Sequence, residues 1–425
     1  MIQVLSSAWA LLLGMGLLMV GNGLQGTLLG VRGEIEGFST LQMSFVMSAY
    51  FVGFLGGSRL APEMIRRVGH VRVFAALASF ISAVMIMYPM LTDPIAWVLG
   101  RVVIGFCFSG VYVTAESWLN NAANNENRGQ ALSLYMIVQM SGIIGAQALF
   151  LVGDPAGYET FVIASILVSV SFAPILLSIS PTPAFDTTKP MTLRELMQKS
   201  PLGCIGLFLL GGVFSAQFGM SAVYGAQAGL SLVEISTFVA AFYVGAVVLQ
   251  YPLGWFSDRM DRRVLIFLVA TVGAVAALAG MLYGVTFEIL LVSAFLIGGM
   301  SNPLYSLLIA HTNDFLEHED MAAASGGLVF INGLGAVAGP LITGWLMDDA
   351  VFGPPGFFLI IAVLLFFLAV YSAYRMTQRA SVPVDETGTM ATLYPTASPV
   401  AFEVAQEVAI EAAEAEAEES AQETA

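Results

Sequence analysis

The segments Gly37-Phe38-Ser39 and Tyr50-Phe51-Val52-Gly53 recur as Gly229-Leu230-Ser231 and Phe242-Tyr243-Val244-Gly245, in each case 192 residues downstream. Chance matching between two glycine-rich apolar stretches is the alternative, but the matches recur at equivalent points of the hydropathy pattern. The sequence therefore predicts an internal duplication. The offset of 192 also matches Gly14 with Gly206, Gln25 with Gln217, Gly33 with Gly225, Ser44 with Ser236 and Arg67 with Arg259. An offset of 193 matches Ile104-Gly105 with Ile297-Gly298 and Gly142 with Gly335.

The composition is that of a membrane protein. Of the 425 residues, 57% are hydrophobic and 11% are charged, and the mean hydropathy is +0.83, whereas soluble domains carry about 25% charged residues. Apolar runs long enough to cross about 30 Å of hydrocarbon recur along the chain, and lipid requires them to be helical because the backbone must satisfy its own hydrogen bonds. We predict twelve transmembrane helices, at 8–31, 42–62, 72–92, 95–118, 130–152, 158–180, 201–226, 234–256, 263–284, 288–311, 323–347 and 356–376.

The distribution of basic residues predicts the orientation. Thirteen of the 15 Lys and Arg residues lie in alternate loops, in the tail or in the helix turns that enter them, and only Arg32 and Arg101 lie toward the other side. The loop at 312–322 is acidic and carries no Lys or Arg, but acidic residues weigh little in the positive-inside rule. We expect an inner-membrane protein with both termini in the cytoplasm, as an even number of spans requires.

The net charge of −15 lies mostly in the tail, because the residues after Arg379 include ten acids and no base. Residues 380–425 begin with Pro, Thr and Gly and end in an Ala/Glu run, a composition that cannot bury enough apolar surface to fold alone. We predict a disordered acidic cytoplasmic tail with a transient helix near 400–420. The alternative is a tail that binds a partner or regulates the protein.

The segment 181–200 is rich in proline and charge and separates six predicted spans from six. The predicted organisation is an N-terminal six-helix bundle at 1–180, a cytoplasmic linker at 181–200, a C-terminal six-helix bundle at 201–379 and the tail at 380–425. Neither the two cysteines nor the three histidines have the spacing of a disulfide framework or metal site, and no cofactor is indicated.

A loop motif follows the eighth span: Gly254-Trp255-Phe256-Ser257-Asp258-Arg259-Met260-Asp261-Arg262-Arg263. In this position Gly-x-x-x-Asp-Arg-x-x-Arg-Arg resembles the loop signature of the major facilitator superfamily, whose fold is two six-helix bundles related by a pseudo-twofold axis. The first-half copy keeps Arg67 and Gly69, but Pro62 replaces the glycine and Arg66 the aspartate. Glu63 is the candidate substitute for the missing carboxylate, although it lies on another helical face.

The fourth span carries further elements of the resemblance. Arg101-Val102-Val103-Ile104-Gly105 is similar to the Arg-x-x-x-Gly element of that helix, and Glu116 with Arg128 is similar to the pair that latches the cytoplasmic side. An arginine about 10 Å inside the membrane is a functional candidate by default; the alternative is a structural pairing with Asp93 or Glu34. The Glu-Ser-Trp-Leu context of Glu116, together with Tyr50-Phe51-x-Gly53 and Gly339-Pro340, resembles the YcaD-like branch of bacterial facilitators.

Polar residues inside predicted spans are candidates for a substrate path. The duplication pairs Gln25 with Gln217 and Gln139 with Asn332, and Asn302 lies on the tenth span. Each pair could face one central cavity near the midplane, where such carriers bind substrate, or could form interhelical hydrogen bonds.

These features predict a secondary carrier of a small organic solute that works by alternating access, with the direction and proton coupling left open. Latches would come from the loop motif and from Arg67, Glu116 and Arg128. No Asp or Glu lies at mid-depth in the first, second, fifth, seventh, eighth or eleventh span, so charge favours an anionic or neutral substrate. The alternative is a carrier-like sensor or assembly factor. The chain lacks a phosphate-binding loop and a soluble catalytic domain, so we do not expect an ATP-driven pump or an enzyme. We expect a monomer in the bilayer that binds no nucleic acid.

Overall fold

The computed structural model describes residues 2–122, 128–177, 191–284, 286–383, 387–388, 390, 392–402 and 404–405. Fifteen α-helices account for nearly all the regular structure in these ranges. They are α1 (Ile2–Ile35), α2 (Thr40–Val68), α3 (His70–Met90), α4 (Pro94–Ala122), α5 (Arg128–Phe150), α6 (Glu159–Ser171), α7 (Ala173–Leu177), α8 (Leu193–Lys199), α9 (Pro201–Ser215), α10 (Ser221–Gln227), α11 (Leu232–Ser257), α12 (Arg262–Tyr283), α13 (Phe287–Asn313), α14 (His318–Leu346) and α15 (Gly356–Gln378).

Within the described part of the chain, twelve helical segments are long and apolar enough to cross a membrane, as predicted. The sixth span consists of α6 and α7, and the seventh consists of α9, a π-helix at Ala216–Met220 and α10. The protein is an all-α membrane protein of two six-helix bundles, one formed by the spans before residue 178 and the other by those after residue 200.

The repeated Gly-x-Ser segments are the turns that open the second helix of each half. Gly37 and Gly229 have φ angles of 74° and 73°, a conformation that glycine adopts without steric cost. Ser39 then caps α2 in a capping box with Gln42, and Ser231 caps α11 in the same way with Glu234. The two halves therefore share the local chemistry that ends one span and starts the next.

The duplication extends to the closest helix contacts. In the first half α2 crosses α4 so tightly that a Cβ atom on Gly105 would lie 1.8 Å from the carbonyl oxygen of Tyr50. The equivalent crossing of α11 and α13 would put a Cβ of Gly298 2.0 Å from the carbonyl oxygen of Phe242. Only glycine allows these backbones to approach so closely, as small residues do at membrane helix interfaces.

The two halves meet directly on one side of the membrane. We call the side on which α15 ends, at Gln378, the tail face, and the other side the opposite face. Near the opposite face, the Ser48 hydroxyl donates to the carbonyl of Val337 at 2.6 Å, and the Ser236 hydroxyl donates to the carbonyl of Gln147 at 2.5 Å. These contacts join α2 to α14 and α11 to α5, so the opposite face is closed.

The segment 387–405 enters the space between the halves at the tail face; the structure describes all its residues except 389, 391 and 403. Leu393, Tyr394, Ala401 and Phe402 are buried, and residues 399–402 form a helical turn. Composition predicts disorder throughout 380–425, and the structure places these described residues between the bundles. The segment lacks the apolar surface to fold alone, but the two bundles supply that surface. Residues 406–425 and 178–190 lie outside the described residues, and the second of these ranges includes the first half of the predicted linker, 181–190.

Candidate functional site

A cavity of about 90 Å³ lies between the two halves. Helices α1, α2, α4 and α5 line it on one side, and the π-helix, α10, α11 and α13 line it on the other. Tyr394, Pro395 and Thr396 of the tail cover it toward the tail face. Of the predicted path residues, the structure brings Gln25, Arg101 and Asn302 together around this cavity.

Arg101 is the charged group of the cavity, and only 4% of its surface is exposed. Its guanidinium donates to Oε1 of Gln25 at 3.2 Å and to the sulfur of Met47 at 3.5 Å, and it lies 4.9 Å from the ring centroid of Tyr50. Its Nε has no hydrogen-bond partner among the described residues. Asp93 instead caps α4 by accepting from the backbone of Ile95 and Ala96. Within the described lining no carboxylate faces this cation.

The equivalent residues Gln25 and Gln217 have different surroundings. Gln25 lines the cavity and donates to Oδ1 of Asn22 at 3.3 Å. Gln217 is buried and exchanges hydrogen bonds with Ser301, from Nε2 to Oγ at 3.0 Å and from Oγ to Oε1 at 3.2 Å. Gln217 lies in the π-helix, where the wider turn changes the helical phase relative to the first half. Its neighbour Phe218 lines the cavity instead.

The other polar candidates are buried within the bundles. Asn302 lines the cavity but donates to the carbonyl of Gly298 in its own helix at 3.0 Å. Gln139 is buried beside Met136, with Nε2 4.0 Å from the sulfur, and Asn332 is 6% exposed. Oε1 of Gln139 and Oδ1 of Asn332 have no hydrogen-bond partner among the described residues. Neither residue is part of the cavity lining, so the structure does not bring this pair together there.

Sequence reasoning missed the aromatic wall of the cavity. Phe51 and Tyr243 both line it, and they are equivalent under the 192-residue shift. Tyr243 stacks on Phe218 with ring centroids 5.2 Å apart. The matched Tyr50-Phe51 and Phe242-Tyr243 pairs carry the signal, because they place aromatic residues at the same point of each half. The aromatic wall provides apolar area beside a polar cluster of Arg101, Gln25 and Asn22.

The loop motif after α11 forms an ion-pair cluster at the tail face. Arg262 is 3% exposed and donates to Asp314, to the carbonyl of Ala310 at 3.3 Å and to that of Gly388 in the tail. Asp258 lies 3.8 Å from Arg262 and accepts from the backbone N–H of Met390 at 2.9 Å. Burial raises the pKa of Asp314, although the charge and hydrogen bond of Arg262 oppose that shift.

The remaining motif residues make local contacts. Burial opposes ionisation of Asp261, but the hydrogen bonds and charge of Arg263 outweigh it and hold the pKa of this carboxyl below its ordinary value. Asp261 caps α12 by accepting from the backbone of Arg263 at 2.9 Å. Arg259 lies 4.2 Å from the Trp255 ring centroid. A Cβ on Gly254 would lie 3.1 Å from Cε of Met390 in the tail.

The first-half copy is built differently. Glu63 pairs with both arginines of its own helix, at 2.5 Å from Arg66 and 2.7 Å from Arg67. Gly69 ends α2 with a φ angle of 85°, which explains the glycine at this point. Glu63 therefore serves its own helix, whereas Asp258 and Arg262 reach α13, the following loop and the tail.

Glu116 is buried near the tail-face end of α4. Its Oε2 accepts from the backbone N–H of Ser398 in the tail at 2.9 Å, and the Tyr135 hydroxyl donates to its Oε1 at 3.3 Å. The predicted pairing of Glu116 with Arg128 falls outside the described residues, because the side chain of Arg128 is not among them.

The chain matches known proteins along most of its length. The model of the Major Facilitator Superfamily matches residues 11–238 and 202–408. Over 350 residues the chain is 27% identical to "Uncharacterized MFS-type transporter YcaD" of Escherichia coli O6:K15:H31 (strain 536 / UPEC), which covers 80% of this chain and 88% of that protein.

Solved structures share the fold at low sequence identity. The crystal structure of the nucleoside transporter NupG has a TM-score of 0.69 and 14% identity, covering 87% of this chain and 99% of that one. The crystal structure of a D-xylose-proton symporter has a TM-score of 0.64 and 14% identity, covering 86% and 96%. The twelve apolar helices and the bacterial relatives indicate a multi-pass inner-membrane protein. The resemblance inferred from the loop motif is thus confirmed, and the chain belongs to the major facilitator superfamily.

Proposed function

We propose that the protein is a secondary active transporter that moves a small organic solute across the membrane by alternating access of its two bundles. The observation that carries this proposal is the Arg101 cavity, which lies between the halves and is closed on the opposite face by direct contacts between them. A site between two rocking halves can open to each side in turn without a continuous channel.

The chemistry of the cavity favours an anionic solute with an apolar or planar body. A buried guanidinium carries a desolvation penalty of several kcal/mol unless an anion compensates it. The Arg101 guanidinium donates to Gln25 and Met47, and the described lining of the cavity contains no carboxylate, which leaves room for a carboxylate or phosphate oxygen of the solute. Phe51, Phe218 and Tyr243 would then pack against the rest of the solute.

We propose that the tail face is the cytoplasmic side. The loops and helix ends on this side carry thirteen of the 15 basic residues, including the loop-motif arginines, and cytoplasmic loops are enriched in Lys and Arg. The ion-pair cluster of Asp258, Arg262 and Asp314 would act there in gating, together with Glu116.

Solute counterflow in proteoliposomes tests the transport proposal. Purified protein is loaded with one member of a panel of organic anions, neutral solutes and cations, and exchange of the labelled compound is followed with and without an imposed pH gradient. We expect exchange of an anion and loss of that exchange in Arg101→Gln. The matched control is Arg194→Gln, since Arg194 is an exposed arginine on α8, away from the cavity. Exchange of a cation that is unchanged in Arg101→Gln would contradict the assigned site.

A second candidate function is a sensor of the same fold that binds a solute without moving it. The observation in its favour is the tail, which fills the opening of the cavity at the tail face. Solute binding by the full chain with no counterflow, in both the full chain and a chain that lacks the tail, would favour the sensor.

A further inference from the structure

The tail segment 387–405 is bound to the protein by polar contacts along its length. The Arg262 guanidinium donates to the carbonyl of Gly388, and Met390 donates its backbone N–H to Asp258 at 2.9 Å. Leu393 makes a reciprocal pair with the Ser306 hydroxyl, which accepts from its N–H at 3.0 Å and donates to its carbonyl at 2.9 Å.

The tail also makes polar contacts with the first half of the protein. The backbone N–H of Ser398 donates to Glu116 at 2.9 Å. Ser398 also starts the helical turn at 399–402, since its hydroxyl accepts from the N–H of Val400 at 3.2 Å. The segment therefore binds α11 and α13 of the second half and α4 of the first half, and it bridges the cleft between them.

Apolar burial accompanies these hydrogen bonds. Phe402 and Ala401 are fully buried, and Phe402 packs edge-on against Tyr305 with ring centroids 5.9 Å apart. Leu393 is 1% exposed and Tyr394 4% exposed. Aromatic side chains such as Phe402 and Tyr394 are enriched in the buried core of specific interfaces. The segment is thus seated in a complementary site rather than lying over the surface.

The groups that hold the tail are the ones that the sequence assigned to gating. Glu116, Asp258 and Arg262 each contact it. If the two halves close at the tail face, the volume filled by residues 392–402 must be vacated. A docked tail and a closed tail face are therefore mutually exclusive.

The docked tail also limits the solute site. Tyr394, Pro395 and Thr396 cover the cavity, and about 90 Å³ remains open. For comparison, an apolar cavity of about 150 Å³ holds a benzene molecule, and ligand pockets usually measure about 300–1,000 Å³. A solute of ordinary size can occupy the Arg101 site only after the covering residues withdraw.

We propose that residues 387–405 form a tethered inhibitory plug, a cis ligand of the tail-face cleft that competes with solute and keeps the two halves apart at this face. The plug segment supplies backbone donors to the partly exposed carboxylate of Asp258 and the buried carboxylate of Glu116, and it packs Phe402 against Tyr305. Its docking does not depend on the transport proposal; its inhibitory effect does.

Cysteine accessibility in the full chain tests docking. The native Cys107 and Cys204 are replaced, and Ala401→Cys is compared with Ser381→Cys, because Ala401 is buried in the cleft and Ser381 is an exposed residue of the same tail. Maleimide labelling of Ala401→Cys in folded protein should be at least about tenfold slower, since it requires a local opening. The two sites should react equally in denaturing detergent. Equal rates in the folded protein would overturn the proposal.

Releasing variants link docking to inhibition. The double variant Leu393→Asp with Phe402→Asp places two charges in buried positions. It should raise the labelling rate at position 401 to the rate at position 381. Ser381→Asp is the matched control and should leave labelling at position 401 slow. These changes lie in the tail, outside the transmembrane helices. The same double variant, and a chain that ends before residue 387, should exchange solute about tenfold faster than the parent chain.

The two proposals fail in different ways. A protected position 401 with unchanged exchange in the double variant and the truncated chain would overturn the plug, while leaving the carrier intact. No exchange in any form, with position 401 protected, would overturn the transport proposal and with it the inhibitory role.

Discussion

Replacement of Glu116 by alanine should release the tail from the cleft. Glu116 is 2% exposed, and its Oε2 accepts from the Ser398 N–H at 2.9 Å. A hydrogen bond to a charged group contributes about 1.5–3 kcal/mol. Because about 1.4 kcal/mol is a tenfold change in an equilibrium constant, Glu116→Ala should raise the undocked fraction of the tail about 10- to 150-fold.

The assay is the labelling rate of Ala401→Cys in the full chain. When opening and closing are fast relative to the reaction, this rate is proportional to the undocked fraction. Glu116→Gln retains an oxygen acceptor and should give a smaller increase, of about tenfold or less, since a neutral hydrogen bond contributes about 0.5–1.5 kcal/mol. Tyr135→Phe removes only the donor on the other side of the carboxyl and should have the smallest effect.

The matched control is Glu63→Ala. Glu63 is also a glutamate near the tail-face end of a helix, but it pairs with Arg66 and Arg67 of its own helix rather than with the described part of the tail. The same labelling rate in Glu116→Ala and in the parent chain, with the thermal transition preserved, would refute the assigned role of this hydrogen bond.

Three further predictions concern the fold and are checked by thermal unfolding in detergent. Gly105→Ala and Gly298→Ala each place a methyl group against a backbone carbonyl of the crossing helix and should lower the free energy of unfolding by about 1–3 kcal/mol. Gly145→Ala is the control and should not lower it, because a Cβ at this position would have no neighbouring atom within 4 Å. Ser231→Ala removes the capping box of α11 and should cost about 0.5–2 kcal/mol. Asp261→Asn weakens the α12 cap and the ion pair with Arg263. Because the pKa of Asp261 is lowered in the folded state, the stability that its charge contributes is complete above the ordinary value of 3.8 and is lost as the pH falls below it. The difference in unfolding free energy between parent and variant should therefore become smaller on acidification.

The spans and the loop motif could be predicted because their signals are local. A run of apolar residues has to be helical in lipid wherever it lies. Within the loop motif, Arg259 and Asp261 form hydrogen bonds with residues within four positions, whereas Asp258 and Arg262 reach distant parts of the chain. The duplication added information of longer range. It correctly related the crossing of α2 and α4 to that of α11 and α13, because glycine at these points is required by close approach of two backbones.

The cavity lining was harder to predict because a transmembrane helix is apolar on all sides. A buried glutamine can then face either a cavity or a neighbouring helix. The sequence does not distinguish these two orientations, because no polar face marks the side of the helix that lines the cavity. Gln25 faces the cavity, but the π-turn at Ala216–Met220 directs its counterpart Gln217 to Ser301. The duplication predicts equivalent positions along the chain, but one extra residue in a turn is enough to change which side chain reaches the site.

The tail shows a different limit of composition. The composition of residues 380–425 predicts disorder because this segment cannot form a core alone, but folding alone is not the relevant comparison when two bundles offer an unfilled cleft. The two loop motifs also differ because different parts of the chain surround them. In the first half Glu63 is used within its helix, whereas in the second half Asp258 and Arg262 bind the tail as well as their own bundle. Asp258 of the second half and Glu116 of the first half each accept from a tail N–H, so the described tail is held from both sides of the cleft and its release has to break a contact with each bundle.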